Sequence, residues 1–302
     1  MQFSVWPNHE RTFADVTKIV TACESYGWYA AYYADHFMPN GPDATPLAGP
    51  VNEAMVTLGG LAAVTSKIRL GTLVASATYR HPAVAAKMFA TLDLMSHGRA
   101  VVGLGAGWQV NEHASYGIEL GSIKERIDRF VEYVEVVHSM FHAESTTFSG
   151  EYYALADAPC DPRPTPAPPI LLGVKGEKRT MALAARRADV WNAWNSPEEH
   201  RRLNGVLNEH CERVARDPSE VRRSTQAMVF VSHDEQWLKP FREGNAARSM
   251  VVGTPAEVLE TMNDYAAAGC DEFIVPGWSL GETPRALDTL AMLDAEVVRQ
   301  LN

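Results

Sequence analysis

Four short stretches of this chain combine residue types that do chemistry. The first is Asp35-His36, just after an apolar run. A histidine titrates near neutral pH and can pass a proton to or from a reacting group; the same pair in a loop can equally cap a turn. The second, Leu73-Val74-Ala75-Ser76-Ala77-Thr78, runs out into small and hydroxyl-bearing side chains that would let a flat ring approach the backbone, although strand packing explains it too. The third, Gly103-Leu104-Gly105-Ala106-Gly107-Trp108-Gln109, has glycine at every second position, which permits close backbone approach to a ligand. It does not continue as G-x-G-x-x-G into a helix. The fourth is Gly173-Val174-Lys175-Gly176-Glu177-Lys178-Arg179-Thr180, between an apolar run and a helical pattern. Amides at a helix start, with the dipole, favour an anion, and Lys175, Lys178 and Arg179 add positive charge. The alternative, a solvated basic first turn, sets cations against the dipole.

Other chemistries lack their residues. No G-x-S-x-G, H-E-x-x-H or G-x-x-x-x-G-K-[ST] occurs, and Cys23, Cys160, Cys211 and Cys270 are too scattered for a C-x-x-C site. No metal ligand cluster is expected, and the four thiols read as reduced and structural. A formal charge of −10 over 302 residues disfavours a nucleic-acid partner. With 46% hydrophobic and 21% charged residues the composition is that of a globular protein. No basic-then-apolar leader and no membrane-length apolar run is evident, so a cytoplasmic protein without membrane association is expected. His9-Glu10 and the His210 neighbourhood read as solvated surface.

The elements that must position these stretches follow from periodicity. Strands are expected at 3–6, 28–34, 68–75, 100–105, 170–172, 190–193, 225–231 and 272–275. Helices are expected at 12–26, 53–65, 82–95, 123–141, 177–187, 197–215, 255–268 and 285–300. Residues 144–169 form a proline-rich insertion after the fourth strand, with a small hairpin in TTFSGEYYAL. Eight strands alternating with helices give an α/β fold, a (β/α)8 TIM barrel forming one domain over residues 1–302. The competing open doubly wound sheet would carry a glycine fingerprint where Pro7-Asn8-His9 stands. In a barrel all four stretches lie at the C-terminal ends of strands, where function sits. Trp108, Trp191, Trp194 and Trp278 also fall near strand ends, and loops 38–52, 108–122 and 232–252 are expected to border a pocket.

In their order along the chain, "AYYADHF", "RLGTLVASATYRHPAVAAKMFATLDLMSHGRAVVGLGAGWQVNEHASYGI", "RIDRFVEYVEVVHSMF", "PPILLGVKGEKRTMALAARRADVWNAW" and "VVGTPAEVLETMNDYAAAGCDEFIVP" resemble the luciferase-like monooxygenase family, most of all its branch using the deazaflavin coenzyme F420. The resemblance implies a barrel that commonly forms a homodimer and an enzyme moving a hydride between F420 and a small-molecule substrate. It implies a non-proline cis peptide at Leu73-Val74 behind the coenzyme ring, with Ala75 and Ser76 flanking it. The coenzyme phosphate would rest on Gly173, Val174, Lys175, Gly176, Glu177 and Lys178, with backbone N–H groups of Gly176 and Glu177 offered to it. Asn111 would be a polar cofactor contact. Asp35 and His36 would stand beside the reactive ring, with His36 as proton donor or transition-state stabiliser. One position departs: members that oxidise sugar phosphates carry a glutamate where this chain has Trp108, which suggests a more apolar substrate wall. The alternatives are an FMN-dependent monooxygenase on the same fold, a non-catalytic cofactor-binding protein, and, least supported, a metal-dependent hydrolase.

Overall fold

Short runs of buried residues become parallel strands because a barrel strand is covered on both faces, by the barrel interior and by the helices. The computed structural model describes residues 1–244 and 248–301. Residues 245–247, inside the 232–252 stretch expected to border the pocket, and residue 302 lie outside the described residues.

In chain order the first half comprises β1 (Gln2–Trp6), α1 (Phe13–Tyr26), β2 (Ala30–Tyr33), α2 (Ala54–Val64), β3 (Arg69–Thr72), β4 (Ala75–Ser76), α3 (Pro82–Met95), β5 (Ala100–Gly105), α4 (Val110–Tyr116) and α5 (Ile123–His142). There follow β6 (Ser145–Ser149), β7 (Ala154–Pro159), β8 (Ile170–Gly173), α6 (Thr180–Arg187), β9 (Val190–Trp194), α7 (Pro197–Arg213), β10 (Arg222–Gln226), β11 (Met228–Val231), α8 (Glu235–Glu243), β12 (Met250–Gly253), α9 (Pro255–Ala267), β13 (Glu272–Pro276) and α10 (Thr283–Glu296).

The parallel pairings run β1, β2, β3 with β4, β5, β8, β9, β10, β13 and back to β1, which closes an eight-fold barrel. Gln2 pairs with Glu272, Ala30 with Arg69, Leu70 with Ala100 and Val102 with Ile170. β6 and β7 form the expected antiparallel hairpin in the insertion. Local signals hold the helices where periodicity places them. Thr12 caps α1 and Gly27 ends it in the left-handed region, and Ser122 and Glu125 form a capping box on α5. No helix among the described residues is long and apolar enough to cross a membrane.

Several element ends shift by a few residues, and α4 and α8 form within the stretches 108–122 and 232–252 expected as loops. The third strand is interrupted where the resemblance implied: the Leu73-Val74 peptide is cis, and β4 resumes at Ala75. The expected strand 225–231 splits: β10 stays in the barrel, while β11 leaves it to pair with β12 under α8. The helix expected from Glu177 begins at Thr180, so residues 177–179 form a turn. Two glycines of the third stretch are also required by the neighbouring strand. A Cβ on Gly103 would lie 1.8 Å from the Thr72 carbonyl oxygen, and one on Gly105 would lie 2.4 Å from Val74. Gly103 and Gly105 thus admit the interrupted strand, and Gly105 and Gly107 also line the cavity at the barrel mouth.

Alternate strand residues point inward, and Trp6, Ala30, Tyr32, Leu73, Val101, Leu171, Val190 and Ile274 form one of the two hydrophobic clusters. Beneath them lies one acid. Glu272 is fully buried and accepts a 2.5 Å hydrogen bond from the Ser4 hydroxyl. Burial is the dominant influence on its carboxyl and raises its pKa, against the opposing pull of Ser4 and Arg222. A carboxyl raised in the folded state contributes stability at low pH that is lost as pH rises through the folded value. Glu272→Gln retains the hydrogen-bond acceptor and removes the titration. Thermal denaturation is expected to show the variant gaining on the wild type as pH rises above the ordinary carboxylate pKa of about 4.3, by at most about 1.4 kcal/mol per unit. A difference that stays flat over this range would refute the assignment.

Candidate active site

The C-terminal ends of the barrel strands surround a cavity of about 1000 Å³, at the upper end of the range for small-molecule and cofactor sites. Its floor is Leu73, Val74 and Ser76; one rim is Gly173, Val174 and Lys175; the opposite rim is Asp35 and His36. Trp6, Trp108, Trp194, Trp278, Met228, Phe230 and Met250 add a largely apolar wall. Trp191, also expected near a strand end, is instead buried. β11 and β12, which leave the barrel, supply the two methionines and the phenylalanine.

The structure thus gathers residues from all four stretches around one space: Asp35 and His36; Leu73, Val74 and Ser76; Gly105 to Gln109; and Gly173, Val174 and Lys175. Ala75 packs in the core behind the floor. Asn111 is buried away from the cavity lining, where its amide donates to the Pro39 carbonyl at 2.9 Å. Gly176, Glu177 and Lys178 lie just beyond the rim, exposed.

Each rim has its own chemistry. Among the described residues, the amides of Lys175, Gly176, Glu177, Lys178 and Arg179 donate no hydrogen bond within the chain. Five consecutive uncommitted N–H groups before a helix form an anion cradle. Glu177 does not spoil it, because its carboxylate is drawn to Arg202 at 2.8 Å. Behind Ser76, His113 Nδ1 lies 2.6 Å from the Gln109 carbonyl oxygen, which only a ring N–H can satisfy. Burial lowers the His113 pKa, so the ring is neutral and its Nε2 accepts from Thr78 at 2.7 Å. Thr78 in turn accepts from Ser76 at 2.6 Å, leaving the Ser76 oxygen free to accept from a ligand.

On the opposite rim Asp35 is anchored. Its fully buried carboxylate takes both guanidinium nitrogens of Arg80, at 2.6 and 2.9 Å, and the Ser76 amide at 2.9 Å. His36 has a different partner: its Nδ1 meets Glu112 Oε1 at 2.7 Å, and its side chain keeps 16% of its exposure, toward the cavity. Glu112 also receives the Phe37 amide at 2.8 Å and the Tyr79 hydroxyl. Burial alone would raise the Glu112 pKa, but His36, Tyr79 and Phe37 together hold it below the usual value, so it is an ionised acceptor. Trp108 stands edge-on to His36 at 5.5 Å between centroids.

His9 corrects the surface reading. It is buried, lines the cavity and lies 5.4 Å from His36 and 5.7 Å from Trp278, ring to ring. Burial first, and His36 second, push its pKa down to about 4. No sequence signal distinguished His9, Trp6, Tyr79 or Glu112 as site residues. Among the described residues, no group of three His, Cys, Asp or Glu is arranged to hold a metal ion.

Comparison with known proteins places the chain. The description of the luciferase-like monooxygenase family matches residues 1–240. The chain belongs to that family. The luciferase-like fold is shared with the coenzyme F420 dependent tetrahydromethanopterin reductase from Methanopyrus kandleri (TM-score 0.83, 17% identity, 100% of this chain and 99% of that one). It is shared equally with the monooxygenase RslO1 from Streptomyces bottropensis (TM-score 0.82, 19% identity, 100% of both chains). Among curated relatives, the F420-dependent glucose-6-phosphate dehydrogenase of Nakamurella multipartita is 36% identical over 177 residues, 58% of this chain and 50% of the relative. The chain spans about half the length of the curated relatives it matches.

Proposed function

We propose that this luciferase-like protein is an oxidoreductase that uses coenzyme F420 and acts on an apolar alcohol or carbonyl compound. Fold alone does not choose between reductase and monooxygenase, since both share it. The observation that carries the reading is a run of uncommitted amides at Lys175–Arg179, which starts at the cavity rim, together with a carboxylate-backed histidine that lines the same cavity. The cradle suits a ring compound with a phosphate-bearing tail, and the curated relative is named as F420-dependent. When bound, the deazaflavin accepts or releases the hydride.

The chain's own residues do the rest. Leu73, Val74, Ala75 and Ser76 would support the ring, and Gly173, Val174, Lys175, Gly176, Glu177 and Lys178 would hold the phosphate. His36 takes the substrate's hydroxyl proton as hydride leaves the adjacent carbon, or returns it in the reverse direction. Asp35 fixes the floor against the rim. Asn111 acts from behind the cavity, by tying down the backbone at Pro39. The tryptophan wall excludes water and favours an apolar substrate. Trp108, standing where sugar phosphate-oxidising members carry a glutamate, argues against glucose 6-phosphate as the substrate.

FMN is the competing coenzyme. Purified protein titrated with each, following coenzyme fluorescence, is expected to bind F420 at least tenfold more tightly than FMN, about 1.4 kcal/mol. Tighter FMN binding, with oxygen consumed when the flavin is reduced, would replace this reading by the monooxygenase one.

A further inference from the structure

We infer that Glu112 is a positioning residue that sets the tautomer of His36, holding the proton on Nδ1 so that the Nε2 lone pair faces the cavity. The inference rests on the proposed function in one respect: a proton-accepting nitrogen matters only if a substrate proton is to be moved. The tautomer itself can be observed without coenzyme or substrate.

The argument is a count of donors. Glu112 is completely buried, so water does not complete its hydrogen bonding. Three groups converge on its two oxygens. The Phe37 amide, which can only donate, meets Oε2 at 2.8 Å. The Tyr79 hydroxyl and His36 Nδ1 both meet Oε1, the latter at 2.7 Å. An ionised carboxylate has no proton to give, so Nδ1 must be the donor. Neutral His36 is then the Nδ1–H form, with an accepting Nε2; protonated His36 donates from both nitrogens. Glu112 serves as acceptor for both forms, and the ring does not turn when the proton arrives. The other titratable groups around His36 do not compete. His9 is held neutral by its burial, Tyr79 is kept protonated by burial and by Glu112, and Asp35 is tied up by Arg80 and the Ser76 amide. The arrangement serves the purpose of the orienting carboxylate in a hydrolytic triad, where a wrong tautomer disables the base.

The same count makes Glu112→Gln diagnostic. The Phe37 amide requires an oxygen opposite it, which turns the new amide nitrogen toward His36 Nδ1 and Tyr79. Nδ1 must then accept, and the neutral ring becomes Nε2–H with no lone pair toward the cavity. Glu112→Asp retains an acceptor-only group, and Tyr79→Phe removes one donor without adding another.

Ring-15N NMR of the coenzyme-free protein, at a pH where His36 is neutral, tests this. In the wild type the proton-bearing signal is expected on Nδ1. It is expected to move to Nε2 in Glu112→Gln and to stay on Nδ1 in Glu112→Asp and Tyr79→Phe. A prop for the Phe37 loop alone would move none of these signals. Nε2–H in the wild type overturns the inference, even if no variant folds; so does an unchanged tautomer in folded Glu112→Gln. A protein that shows the expected tautomers yet binds no F420 keeps this inference and loses the proposed function.

Discussion

His36→Ala is expected to lower turnover by about 10²- to 10⁴-fold, the range in which a positioned general acid or base contributes, while F420 affinity changes by less than about threefold. The asymmetry follows from the two rims. The coenzyme's charge is proposed to sit on the uncommitted amides at Lys175–Arg179, whereas His36 lies on the facing rim and donates nothing to that loop. Removing the imidazole deletes a proton acceptor and leaves the cradle, the floor and the Asp35–Arg80 pair in place. The check is single-turnover reduction of bound F420 by a panel of small alcohols, with the coenzyme affinity measured separately. Wild-type turnover in the alanine variant, with normal coenzyme binding, would remove His36 from the chemistry. Loss of affinity in step with turnover would make it a binding residue instead.

How much of this site was legible follows from how far each partner lies along the chain. The four stretches announce themselves because each combines a strand end with residue types suited to a ring or an anion, and a closed barrel brings all strand ends to one mouth. Ser76 and Lys175 needed no knowledge of their neighbours. His9 did. In sequence it follows Pro7-Asn8 and precedes a charged stretch, which reads as surface; in the fold it is buried, with His36 and, from beyond the last strand, Trp278 against its ring. Glu112 was hidden twice. It lies on α4, a seven-residue helix too short to show periodicity between a glycine-rich run and Gly117, and its partner is 76 positions away. The same distance problem hid the side chain bonded to His36, which is Glu112 and not its neighbour Asp35. The satellite pair β11 and β12 was missed because continuous apolar character carries through Ala227, and nothing in the residue types marks where the chain leaves the barrel.

Asp35 can be separated from His36 by stability rather than rate. Its carboxylate has no solvent exposure and depends on Arg80 for two of its three hydrogen bonds. Burial opposes the charge on Arg80, but Asp35 and then Glu53 more than offset this and raise its pKa. Arg80→Met keeps most of the stem volume and leaves a buried carboxylate facing a single amide. Breaking a buried pair from one side costs about 3–5 kcal/mol, which in a chain of this size lowers the denaturation midpoint by roughly 10 °C. The double variant Asp35→Asn with Arg80→Met removes the stranded charge, so it is expected to be more stable than Arg80→Met alone. That reversal is what distinguishes an uncompensated charge from lost packing, because the double variant restores no packing. Calorimetry of the three proteins decides it. A loss below about 1 kcal/mol in Arg80→Met, or a double variant weaker than the single one, would mean that the pair does not brace the rim, and Asp35 would again be open to a part in the chemistry.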